Sequence, residues 1–201
     1  MTASISSLVV GPLENNAYLL EAGGECLLVD AADDAPALLA WLGGRRPAAI
    51  VTTHRHRDHW AALAEVAEVT GAQLVAGDPD AAAIALGAGV QTPDGVWDGD
   101  VLELGGVTLE VIGLVGHTPG SIALVLAEPG EPVRILTGDS LFPGGPGKVI
   151  RPEAFETLMS DLVTKIFDRF PDDTIVLPGH GLPTTLGTER PKVPEWWARR
   201  W

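Results

Sequence analysis

The segment His54-Arg55-His56-Arg57-Asp58-His59 constrains this chain more than any other feature. It places three imidazoles and a carboxylate within six residues, directly after the apolar run Ile50-Val51-Thr52-Thr53. In an extended backbone, residues two apart point to the same side. His54 and His56 can therefore reach one point together. Asp58 is expected to start the next helix, where a carboxylate is favourable. Asp58 and His59 then project from that helix start toward a second position beside the first. Four ionisable groups this close would repel one another once protonated, so a solvated loop explains them poorly. Imidazole and carboxylate together suit Zn, Fe or Mn rather than Ca or Mg.

All five histidines stand where an apolar strand gives way to a turn. His117 lies in Gly116-His117-Thr118-Pro119-Gly120-Ser121, and His180 in Pro178-Gly179-His180-Gly181. Asp139 occupies a similar place in Leu136-Thr137-Gly138-Asp139-Ser140. Strand ends along one sheet edge are where layered α/β folds gather functional groups. The neighbouring glycines let backbone approach such a centre closely. Ser140 reads as a turn residue rather than a nucleophile.

Apolar patterning predicts the elements between these turns. Tyr18 to Leu20 and Cys26 to Val29 form a hairpin across Gly23-Gly24, followed by a helix from Ala35 to Leu42. A buried strand runs from Ala48 to Thr52, and the helix begun at Asp58 closes at Gly71. Gln73 to Ala76 is a strand, and Pro79 to Leu86 a short helix. Val101 to Leu104 and Val107 to Val111 pair across Gly105-Gly106. Strands follow at Ile122 to Leu126 and Val133 to Leu136. A helix spans Phe155 to Phe167, and Thr174 to Leu177 is the last strand. Hairpins mixed with helical crossovers suit a layered α+β sandwich in one domain covering residues 1–201. The tail, residues 191–201, carries Trp196, Trp197 and Trp201 and is expected to pack on the body of the domain. The competing expectation is an exposed patch for a partner.

The net charge of −14 disfavours nucleic acid and anionic membrane surfaces as partners. The single cysteine, Cys26, excludes an internal disulfide and reads as a buried strand residue. The start, MTASISSLVVGP, lacks the basic and apolar regions of a signal peptide, and no apolar run is long enough for a membrane span. The expected location is the cytoplasm, and the expected partner a small-molecule substrate.

The His-x-His-x-Asp-His segment, with the later order His117, Asp139, His180, resembles the metallo-β-lactamase superfamily from Asn15-Asn16-Ala17-Tyr18 to Gly181. The resemblance implies a four-layer αββα sandwich with its site at one edge. It implies two divalent metal ions, zinc above iron or manganese. His54, His56 and His117 would hold the first ion, and Asp58, His59 and His180 the second, with Asp139 bridging both. Gly116 to Ser121, Thr137 to Phe142, and Pro178 to Gly181 with Thr184 to Gly187 are most similar to small glyoxalase II-type thioesterases. Large glyoxalase II enzymes carry a further C-terminal helical region for glutathione, and residues 144–148 stand where many relatives have an arginine-containing segment.

The expected reaction is hydrolysis of an acylated small thiol by a metal-bridging hydroxide. Asp58 would ligate the second ion and orient the nucleophile. Lys148 and Arg151 would bind a substrate carboxylate, and Tyr18 would line the pocket. The alternatives are a lactonase or β-lactamase, a single-iron persulfide dioxygenase, and a metal-binding protein without turnover.

Overall fold

A computed structural model describes residues 2–200. The strands are β1 (Ser4–Val10), β2 (Asn15–Ala22), β3 (Glu25–Val29), β4 (Ala49–Thr52), β5 (Gln73–Gly77), β6 (Asp94–Val96) and β7 (Val101–Leu104). They continue with β8 (Val107–Gly113), β9 (Ile122–Leu126), β10 (Arg134–Gly138), β11 (Leu141–Phe142), β12 (Gly145–Pro146), β13 (Ile175–Pro178) and β14 (Thr184–Thr185). The helices are α1 (Ala35–Leu42), α2 (Leu63–Thr70), α3 (Asp78–Ala88), α4 (Pro152–Asp161), α5 (Leu186–Glu189) and α6 (Val193–Arg199). One six-stranded sheet has the order β1-β2-β3-β4-β5-β6, and the other β14-β13-β10-β9-β8-β7.

Period-two alternation explains why the strands read as nearly continuous apolar runs. In β3, Cys26 and Leu28 face a core under α1, α2 and α3, while Leu27 and Val29 face the space between the sheets. In β9, Ile122, Leu124 and Leu126 fill that same space, while Ala123 and Val125 meet α4 and α6 on the far side. Each sheet is thus buried on both faces, which gives helices, sheet, sheet, helices: the expected four-layer sandwich. Cys26 is buried as expected.

The tail packs on the body. Trp196 of α6 is 1% exposed and lies 6.0 Å from the Phe167 ring. Trp197 is partly exposed against Phe155, and Trp201 lies outside the described residues. Among the described residues, no helix is long and apolar enough to cross a membrane.

Several boundaries differ from expectation. Asp58 does not start an α-helix: Arg57–His59 forms a single 3₁₀ turn, and α2 begins at Leu63. The backbone amides of Ala61 and Ala62 donate to Ala32 and Ala31 instead, which ties the intervening chain to the end of β3. The expected helix from Phe155 to Phe167 is α4 continued by a π-helical turn, Leu162–Phe167. The expected last strand is followed by β14 and two helices. β1 escaped notice because it is an edge strand with a mostly exposed Ser-rich pattern. β6, β11, β12 and β14 are too short for a period to show.

Candidate metal centre

The carboxyl ends of β4, β8, β10 and β13 deliver every side chain of the cluster. His54 and His56 leave β4, His117 follows β8, Asp139 follows β10, and His180 follows β13. The two sheets are stitched together here. Asn15 of β2 forms an isolated bridge with His180, and the Asn16 amide donates to Gly179 O at 2.8 Å. Gly138 turns the chain with φ +48, a left-handed conformation that suits glycine. A Cβ at Gly179 would collide with the Asp139 carboxylate and the His59 ring.

Three nitrogens form the first group. His54 Nε2 lies 3.0 Å from His56 Nδ1, His56 Nδ1 lies 2.8 Å from His117 Nε2, and His117 Nε2 lies 3.2 Å from His54 Nε2. Proton positions follow from the outer ring nitrogens. His117 Nδ1 is 2.7 Å from Lys148 O, an acceptor only, so it carries the proton and leaves Nε2 bare. Thr53 Oγ1 donates to Asp30 Oδ2, so His54 Nδ1 donates to Thr53 Oγ1 and its Nε2 is also bare. The two bare nitrogens of His54 and His117, 3.2 Å apart, repel unless a cation or a proton of His56 lies between them. Donors held about 2.0–2.1 Å from a tetrahedral ion sit roughly 3.3 Å apart, close to the spacing seen here.

The second group is built the same way. His59 Nδ1 donates to Asp30 Oδ2 at 2.8 Å, and His180 Nδ1 donates to Leu13 O at 2.9 Å. In the neutral ring of each, Nε2 then turns inward without a proton, as a metal ligand requires. The two Nε2 atoms lie 3.5 and 3.3 Å from Asp58 Oδ2 respectively. Asp139 touches both groups, with Oδ1 3.3 Å from His59 Nε2 and Oδ2 3.6 Å from His117 Nε2 and from His180 Nε2. Asp139 Oδ1 is buried without a hydrogen-bond donor, as a carboxylate oxygen facing a cation would be. The donor set fits two divalent ions sharing Asp139.

The electrostatics carry the same mark. Burial holds the His54 ring well below the ordinary imidazole range, and the neighbouring imidazoles add to the effect. Burial also lowers His56 and His117. His59 goes the other way. Burial opposes its charge, but Asp30 and Asp139 on either side outweigh burial and raise it to about 10. Burial pushes Asp58 up, yet the Asn15 amide and the nearby imidazoles hold it below its usual range. Burial likewise opposes ionisation of Asp139, and His59 overrides it. The site thus demands positive charge beside its carboxylates, which an ion supplies as well as a proton does.

Sequence reasoning missed three supporting residues. Asp30 orients His59 and accepts from Thr53 N and Thr53 Oγ1, at 2.7 and 2.8 Å. Its position right after an apolar strand was the available signal. Asn15 donates to Asp58 Oδ2 at 3.0 Å. Asp80, fully buried at the start of α3, accepts from Arg55 N, Thr118 Oγ1 and Gly120 N, joining the loops that carry His56 and His117.

The expected substrate-binding residues separate. Arg151 lines a cleft of about 320 Å³ beside His117. Lys148 is exposed, and its carbonyl rather than its ammonium group serves the site, by accepting from His117. Tyr18 does not line the pocket. It is 5% exposed between the sheets, where its hydroxyl donates to Pro178 O at 2.7 Å and steadies the His180 loop from behind. Burial pushes its phenol well above the usual range. Ser140 is a buried turn residue whose amide donates to Thr137 O.

Known proteins resemble this chain in sequence and fold. The chain is 31% identical to the probable metallo-hydrolase YqgX of Bacillus subtilis, over 92% of this chain and 93% of that one. It is 41% identical to a hydroxyacylglutathione hydrolase of Anaeromyxobacter dehalogenans, over 67% of this chain and 49% of that enzyme. Among solved structures, BLEG-1 B3 metallo-beta-lactamase superposes with a TM-score of 0.81 at 28% identity, covering 96% and 99% of the two chains. TTHA1623, in a di-iron-bound form, superposes at 0.73 with 33% identity, covering 92% and 96%. Residues 10–180 match the family model of the metallo-beta-lactamase superfamily. The chain belongs to that superfamily and is one of its metal-dependent hydrolases.

Proposed function

We propose that the chain is a dinuclear thioesterase of the glyoxalase II type, acting on an acylated small thiol. His54, His56 and His117 would hold one ion, Asp58, His59 and His180 the other, and Asp139 both, with zinc, iron or manganese as the metal. The observation that carries this reading is the Asp139 carboxylate, which lies 3.3–3.6 Å from nitrogens of both donor sets and has one buried oxygen without a hydrogen bond. When bound, the ions supply a hydroxide near neutral pH and polarise the scissile carbonyl.

The chain's own residues supply the geometry. Asp30, Thr53, Lys148 and Leu13 each take the outer proton of a ring and thereby aim its other nitrogen inward. Asp58 stays ionised beside Asn15 at the open side of the cluster, placed to accept a proton from the attacking water. A thiolate leaves without an acid catalyst, because a thiol is far more acidic than an alcohol. This fits a cluster of imidazoles and carboxylates in which no serine or cysteine is placed as a nucleophile. Cys26 lies in the core under α1. The named activity of the Anaeromyxobacter relative supports the thioester, and its matched segment is about half of that enzyme.

The test pairs elemental analysis with a panel of acyl-thiol esters, lactones and β-lactams. The reading expects two ions per chain and thioester turnover that His56→Ala abolishes while the fold persists. A protein with one ion that consumes oxygen on a persulfide, or thioester turnover that survives His56→Ala, refutes it.

A further inference from the structure

We propose that the cleft beside His117 is a subsite for an anionic group, most simply a carboxylate, carried by the substrate close to its thioester; this rests on the thioesterase reading above. The cleft, about 320 Å³, is lined by Arg55, Val115, Gly116, His117, Thr118, Pro119, Ile150, Arg151 and Ala154. His117 belongs to both places: its Nε2 faces His54 and His56, and its ring lines the cleft. A molecule held there lies beside the cluster.

This cleft is basic on an acidic chain. The chain carries 27 acidic residues against 13 basic ones, yet the lining holds two arginines and no carboxylate. Arg151 is exposed at the N-terminal end of α4, where the helix dipole adds to its charge. Arg55 is exposed between two of the clustered histidines. The acid nearest Arg55 is Asp80, 3.7 Å from its Nε. Both Asp80 oxygens already accept from Arg55 N, Thr118 Oγ1 and Gly120 N, so the guanidinium is steadied rather than used up. Glu153, in the first turn of α4, is exposed and outside the lining.

The remaining wall is apolar, formed by Val115, Pro119, Ile150 and Ala154. Ile150 is 89% exposed and adds apolar surface to this wall. A short aliphatic stretch against this wall would bring a terminal carboxylate to two guanidiniums, whose planar fork suits that anion. The carboxylate could sit on the acyl half or on the thiol half of the thioester.

The test compares three thioesters: neutral on both halves, carboxylated on the acyl half, and carboxylated on the thiol half. The enzymes are the wild type, Arg55→Gln, Arg151→Gln, the double variant, and Arg46→Gln as a control for net charge at the opposite end of β4. One carboxylated substrate should exceed the neutral one in kcat/KM by roughly fivefold or more, mainly through KM, and the arm that does so identifies the half bearing the anion. The ratio should fall stepwise in the single variants, collapse in the double variant, and persist in Arg46→Gln. No anionic preference in the wild type, or a preference that survives the double variant, overturns the proposal. Calorimetry with a carboxylated thioether and its neutral amide, on the metal-loaded protein, reads the subsite independently of turnover. If no thioester is hydrolysed, the thioesterase reading alone fails when the carboxylate still binds more tightly through both arginines, and the subsite fails as well when it does not.

Discussion

Asp30 Oδ2 lies 2.8 Å from His59 Nδ1, and both side chains are buried where β3 and β4 end. Asp30 holds this place in a left-handed conformation, φ +59, with its carboxylate also accepting from Thr53 N and Thr53 Oγ1. It therefore fixes the ring that faces Asp58 and Asp139 without itself facing the cluster. Asp30→Asn preserves size and loses the charge that aims and sharpens His59. It should weaken metal retention by roughly 10–100-fold, measured by competition with a chelator, and weaken the more readily lost ion first.

Asp80 makes a second dependence. Asp80→Ala leaves Arg55 N, Thr118 Oγ1 and Gly120 N without their buried acceptor. The expected loss is about 2–5 kcal/mol of stability, read from urea unfolding, together with a drop in activity as the two ligand-bearing loops lose their link. Asp80→Asn should recover part of both, because one amide oxygen can still accept.

How much of this was legible in the sequence depended on chemistry more than on shape. The three-histidine segment announced itself because imidazoles at that density have few other uses. The turns at His117, Asp139 and His180 were readable because a strand period ends in glycine there. The buried strands were readable because alternate residues serve two different cores, leaving no polar face. Asp30, Asn15 and Asp80 were not readable, since single carboxylates and amides after apolar runs are common and their partners are far away in sequence. Tyr18 misled for the opposite reason: a lone tyrosine suggests a pocket, whereas its hydroxyl has a backbone partner 160 positions away. Asp58 suggested an α-helix start, but amides tied to Ala31 and Ala32 delay α2 to Leu63.

Stability of the metal-free protein should depend on pH in two opposing ways. His59 is raised from 6.5 to about 10, so its contribution is complete below pH 6.5 and is lost as pH rises toward 10. His54, His56 and His117 are lowered from 6.5, so the unfolded chain takes protons that they do not, and stability falls as pH drops below 6.5. Urea midpoints from about pH 5 to about pH 10 should peak near the crossover. Excess zinc should flatten the alkaline limb, because an ion supplies the charge that the His59 proton otherwise provides.

The tail is structural. Trp196 is buried against Phe167 in the core over the second sheet. Trp196→Ala should cost about 3–5 kcal/mol, measured by denaturant unfolding. Trp197→Ala, at a partly exposed ring, should cost clearly less.

Metal content per chain is the most direct measure of the central claim, that Asp139 serves two donor sets at once. Elemental analysis of the purified, metal-saturated protein should give two equivalents in the wild type and about one in His180→Ala, whose first donor set is intact. A wild type that saturates at one equivalent, or a His180→Ala protein that still holds two, would contradict the account.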